Sequence, residues 1–180
     1  MATATGCCYH VAFDRQHAPA PHVTKQQTLK HSTDQVAATP FRPHGSVQMW
    51  MEGDFLYYES TGPFNVELVD SLAVAQMDLL RTTNYQGPWA SICTILNSAM
   101  APPDALARYE ALMRKPKPAG KTPGATAFVV APGVEGAKLM LPKFAAIYEG
   151  IQRPFQSFER MEDARAWAQA HMLQARQQQA

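Results

Sequence analysis

The sequence predicts an α/β fold: a mixed, mostly parallel β-sheet of about five strands with four helices, in the order β-β-α-β-α-β-α-β-α. Three observations carry this. Two extended runs rich in aromatics flank a turn at Glu52-Gly53-Asp54. Two later runs, residues 89–96 (WASICTIL) and 125–131 (ATAFVVA), are short and almost continuously apolar, as strands covered on both faces are. Segments with helical periodicity separate the strands, and that alternation implies right-handed βαβ crossovers.

Each element has its own warrant. Val47-Gln48-Met49-Trp50-Met51 alternates, and Phe55-Leu56-Tyr57-Tyr58-Glu59-Ser60 resumes the pattern beyond Gly53, which reads as a hairpin. Thr61-Gly62-Pro63-Phe64 then breaks the chain. Asn65 is placed as an N-cap, with Glu67 in the first turn favoured by the helix dipole. From there to about Thr82, Leu68, Val69, Leu72, Ala75, Leu79 and Leu80 share one helical face. In the apolar run 89–96, Cys93 reads as a small buried hydrophobe. Pro102-Pro103-Asp104 marks a second helix start, with Leu106, Tyr109, Leu112 and Met113 as its apolar face. Residues 115–124, rich in Lys, Pro and Gly, suit a loop. Pro132 and Gly133 end the strand that follows. The third helix starts near Ala137 or Pro142 and runs to Glu149, anchored by Phe144, Ile147 and Tyr148. Residues 155–158 form a short last strand. Glu162 and Asp163 open a final helix whose stripe includes Met161, Ala164, Trp167, Ala168, His171 and Met172. The domain thus spans 46–176, and 177–180 form a frayed tail.

Residues 1–45 read as a disordered or poorly packed N-terminal extension. They hold five of the six histidines (His10, His17, His22, His31 and His44), and their apolar residues follow no period. Removal of residues 1–43 is expected to leave thermal stability unchanged. Cys7, Cys8 and His10, with His17 or His22, carry the right atoms for zinc, but adjacent cysteines do not have the spacing of structural zinc ligands. No metal site and no cofactor is expected. Arg15, Lys25, Lys30 and Arg42 against Asp14 and Asp34 leave too little positive charge for a nucleic-acid arm.

Composition narrows the classes further. A net charge of +1 gives no global field toward nucleic acid or anionic lipid. No run approaches the roughly 18 apolar residues of a membrane span. Three scattered cysteines suit a reducing compartment, so a cytoplasmic protein is expected.

The opening hairpin GSVQMWMEGDFLYYES, the TGPFN before the first helix and the close PFQSFERMEDARAWAQAH together resemble the SpoIIAA-like branch of STAS domains, over residues 46–175. The resemblance implies a non-enzymatic regulatory or protein-interaction module with a protein partner. Some relatives of this fold look like CRAL-TRIO lipid-transfer domains, and this gives the alternative, binding or carrying a small apolar ligand. In anti-sigma antagonists a serine of an Asp-Ser-Ser-Gly type motif after the third strand is phosphorylated. The matching place here is Leu96-Asn97-Ser98-Ala99-Met100, which makes Asn97 and Ser98 switch candidates without the preceding acid or the following glycine. The alternative role of Ser98 is to cap backbone amides of its loop.

Gly133-Val134-Glu135-Gly136 lies between a buried strand and a helix, where open α/β sheets place ligands, so Gly133 and Gly136 are ligand candidates. The segment matches no dinucleotide or P-loop pattern and also reads as a plain turn. His171 has no recognisable acid partner and reads as a core-edge histidine more readily than as a general base. Lys115, Lys117 and Lys121 read as a solvated loop, with no aromatic platform for nucleic acid beside them. Seven of the nine methionines, Met49, Met51, Met77, Met100, Met113, Met140 and Met172, suit an adaptable pocket or partner groove, with ordinary core filling as the default. The hairpin edge or the first helix could support a homodimer.

Overall fold

The computed structural model describes residues 30–36, 40–83 and 85–178. Its strands form one six-stranded sheet in which spatial order equals chain order. They are β1 (His31–Ser32), β2 (Ser46–Glu52), β3 (Phe55–Thr61), β4 (Ala90–Leu96), β5 (Ala125–Val130) and β6 (Phe155–Phe158). β1, β2 and β3 pair antiparallel, and β3 to β6 pair parallel. The helices are α1 (Val66–Thr82), α2 (Pro103–Arg114), α3 (Ala137–Gly150) and α4 (Met161–Gln177).

The sheet therefore has one strand more than the sequence leads one to expect, and that strand corrects the expected boundary near Ser46. His31 pairs with Met49 and Ser32 with Gln48. A 3-10 turn, Thr33–Gln35, follows, with the Ser32 hydroxyl accepting from the Asp34 N–H at 3.2 Å. Thr33 is buried, and its Oγ1 accepts from the Val47 N–H at 2.9 Å. Val36 packs on the core between β2, β3 and α1. Removing residues 1–43 would take these contacts away. Two paired residues and one threonine bond are too short to leave a period, which is why the segment reads as unstructured. Cys7, Cys8, His10, His17 and His22 lie outside the described residues.

Three crossovers in one direction, each right-handed, must place their helices on one face of the sheet. Accordingly α1 packs on Met49, Leu56 and Tyr58, while α2 and α3 pack on Ile95, Phe128 and Val130. The side chains of opposite parity, Tyr57, Ile92 and Ala127, face α4 alone among the described helices. Phe155 and Phe158 belong to different faces for the same reason.

Local chemistry fixes the element ends. The Asn65 side chain caps α1 by accepting from the Leu68 N–H at 3.0 Å, and it also accepts from the His44 N–H at 2.9 Å. α3 starts at Ala137 and carries Pro142 within it. The loop 115–124, expected to be solvated, is tied down. Lys121 donates to the Leu80 carbonyl near the end of α1, and Lys117 to the Leu112 carbonyl near the end of α2, where helix carbonyls lack partners. Trp89 Nε1 donates to the Gly120 carbonyl at 2.8 Å. Among the described residues no helix is long and apolar enough to cross a membrane.

Candidate ligand cavity

A cavity of about 100 Å³ lies between the sheet and α1, α2 and α3. Its floor explains it. Ser60, Ser91, Cys93 and Thr126 occupy the helix-facing positions on β3, β4 and β5, and Ala101 and Ala105 oppose them. Short side chains on both sides leave space that protein interiors normally fill. The walls are apolar: Leu68 and Leu72 from α1, Leu106 and Met113 from α2, Phe144 from α3 and Phe128 from β5. At about 24 cal/mol per Å³, an unfilled space of this size costs on the order of 2 kcal/mol.

Polar groups converge in it. Tyr58, Tyr109 and Tyr148 all line the cavity. The Tyr109 and Tyr148 hydroxyls lie 2.5 Å apart. Thr126 meets Ser91 at 3.3 Å, and Ser60 meets Cys93 at 3.3 Å. Burial pushes the Tyr58 and Tyr109 hydroxyls well up, Tyr148 up to about 12 and the Cys93 thiol up to about 11. These groups stay protonated near neutral pH and can donate hydrogen bonds.

Two cations stand at the end of the cavity where β5 and β6 begin. Arg153 lies over the Tyr148 ring at 5.9 Å, and its Nη1 donates to Met113 Sδ at 3.6 Å. Lys117 is half-buried, and its ammonium is held below its ordinary range first by that burial and then by the Arg153 charge. Neither residue belongs to any of the ion pairs among the described residues.

The candidates read from the sequence are brought together elsewhere, at the opposite end of the strands. Ser98 forms a parallel bridge with Glu135; the Glu135 N–H donates to the Asn97 carbonyl at 2.9 Å, and the Ala99 N–H to the Glu135 carbonyl at 2.8 Å. Ser98 is 3% exposed, and its hydroxyl accepts from the Met100 N–H at 3.2 Å. A Cβ on Gly62 would stand 1.9 Å from the Ser98 carbonyl oxygen, so only glycine permits this approach. Gly136 caps α3 at a φ of +68°, and Met100 occupies the place of its missing side chain. Gly133 stands in open space. The two loops are closed on each other by backbone hydrogen bonds.

His171 lies on α4, across the sheet from the cavity, with its ring edge-on to Trp167 at 4.4 Å. Among the described residues no cluster of His, Cys, Asp or Glu is placed to hold a metal ion. Of the residues that shape the cavity, Tyr109 and Tyr148 are read from the sequence only as apolar helix anchors and Lys117 only as part of a solvated loop, and Arg153 is not singled out at all. The signal available for the tyrosines is a hydroxyl on an otherwise apolar helix stripe, which must find a partner when buried. Arg153, between Gln152 and Pro154, carries no such signal. Comparison with protein-family models, with curated proteins and with solved structures finds no match for this chain.

Proposed function

We propose that this protein binds a small, mostly apolar molecule in the cavity beneath α1, α2 and α3. The observation that carries this is an apolar space of about 100 Å³ that ends on neutral hydroxyl donors. Dry cavities of about 150 Å³ lined by apolar groups take up benzene, so the buried part of the ligand is a single ring or a short chain. The lining offers neutral hydroxyl donors, held protonated by burial, and two cations, which suits recognition of a bound molecule. The partner-binding alternative rests on the STAS-like resemblance alone, and the burial of Ser98 weighs against its use as a switch.

Benzyl alcohol tests this reading. At ten times a millimolar Kd, binding stabilises the folded state by about 1.4 kcal/mol, a rise of about 4 °C in Tm. Ala105→Leu fills the cavity from α2 and is expected to abolish the rise. Equal responses in the two proteins would remove the support for binding at this place.

A further inference from the structure

We infer that the ligand carries an anionic head, a carboxylate in the simplest case, held between Lys117 and Arg153 with its apolar body in the cavity. The inference rests on the binding reading above and names the ligand's chemistry.

Two like charges held at one cavity end are unfavourable unless something offsets them. Elsewhere in this protein the offset is visible: Arg108 meets Asp70, Arg114 meets Glu110 and Arg176 meets Asp54. Lys117 and Arg153 have no such partner among the described residues. Their recorded bonds are to neutral acceptors, the Leu112 carbonyl and the Met113 sulfur. Both side chains line the same cavity as Tyr58, Tyr109 and Tyr148. The charge of Arg153 is felt at the Tyr58 and Tyr148 hydroxyls and at the Lys117 ammonium, so the cations and donors share one locality.

That set of groups is selective. Guanidinium, ammonium and phenol all donate, and ionised carboxylates only accept. Charge-assisted bonds of this kind are about twice as strong as neutral ones, and partial burial limits their screening by salt. A cationic head group would face two like charges. A neutral hydroxyl would leave both cations without a counter-charge. The held backbone of the 115–124 loop, anchored through Lys121 and Trp89, keeps Lys117 in place without a ligand.

Three probes of one shape decide it: benzoate, benzyl alcohol and benzylamine, titrated calorimetrically or by NMR into the full chain. Benzoate is expected to bind about tenfold more tightly than benzyl alcohol, and benzylamine more weakly than either. In Lys117→Met and Arg153→Met, which keep the apolar stems, the benzoate advantage is expected to fall to about twofold or less, with benzyl alcohol affinity retained. Lys117→Arg is expected to keep most of the advantage. If benzyl alcohol binds and benzoate has no advantage, the anionic head is wrong and the cavity reading stands. If no probe binds, the cavity reading itself falls. A benzoate advantage that survives loss of both cations would also overturn the assignment.

Discussion

Thr33→Val exchanges a hydroxyl for a methyl of nearly the same shape, at a side chain that is 1% exposed. The change strips the acceptor from the Val47 N–H, which Thr33 Oγ1 meets at 2.9 Å. Val47 is itself 2% exposed, so a stranded donor there finds no water without local opening. A buried donor left unpaired costs about 1–3 kcal/mol. β1 has only two registered pairs with β2, His31 with Met49 and Ser32 with Gln48, so few neighbouring bonds can share the loss. Loss of about 2 kcal/mol is expected. That corresponds to a fall of about 1 M in the urea midpoint at a slope of about 2 kcal/mol/M, or of about 6 °C in Tm. Thr33→Ser keeps the oxygen and removes one methyl, so it should cost about half as much. Urea unfolding of the three full-length proteins, followed by tryptophan fluorescence, supplies the comparison. A Thr33→Val protein as stable as its parent, or more stable than Thr33→Ser, would mean that the segment does not dock on β2 as described.

Gly62→Ala places a Cβ 1.9 Å from the Ser98 carbonyl oxygen, and backbone on both sides must move, so a loss of about 3 kcal/mol is expected by calorimetry; a loss below about 1 kcal/mol would contradict the packing of these loops. The Cys93 thiol titrates at about 11 when folded against 9.0 for the unperturbed group, so its contribution to stability is complete below about pH 9 and is lost as pH rises toward 11. The full difference amounts to about 3 kcal/mol. Cys93→Ala should therefore lose less stability than the parent between pH 8 and pH 10.5 in urea titrations, and an unchanged loss would show that the thiol is not held neutral.

Most of the element order is legible because it is written locally. Asn65 caps α1 from three residues away, and Ala125–Val130 is apolar at nearly every position, so burial on both faces can be read without knowing what lies on either side. β1 is illegible because its hold on the sheet is one hydroxyl bond between residues 14 apart in sequence. The cavity is illegible for a related reason. Ser60, Ser91 and Thr126 are unremarked in their own strands, and only the register that sets Ser91 beside Thr126 turns short side chains into space. Tyr109 and Tyr148 are read correctly as anchors of two helices, but the meeting of their hydroxyls depends on helix packing. The expectation that ligands sit beyond the carboxyl ends of the strands points to Gly133 and Gly136, and the STAS-like resemblance points to Asn97 and Ser98. There the Glu135 backbone bonds Asn97 and Ala99 on either side of Ser98, and the Ser98 N–H donates to the Leu96 carbonyl.

The coincidence of spatial and chain order in the sheet bears on how the molecule forms. Each strand pairs only with the strand before and after it, so no strand waits for a distant partner. Short loop closures of this kind carry less entropy loss than pairings across the chain. The sheet can grow from the hairpin outward as the polypeptide leaves the ribosome, each crossover adding a helix to the same side. Its other side stays bare until the end. Tyr57, Ile92 and Ala127 wait for Ala164, Ala168 and Met172, so the face remains open to wrong associations until the last helix has been made. Loss of that helix through early termination would leave a grown sheet with one uncovered apolar surface, a product bound for aggregation or degradation.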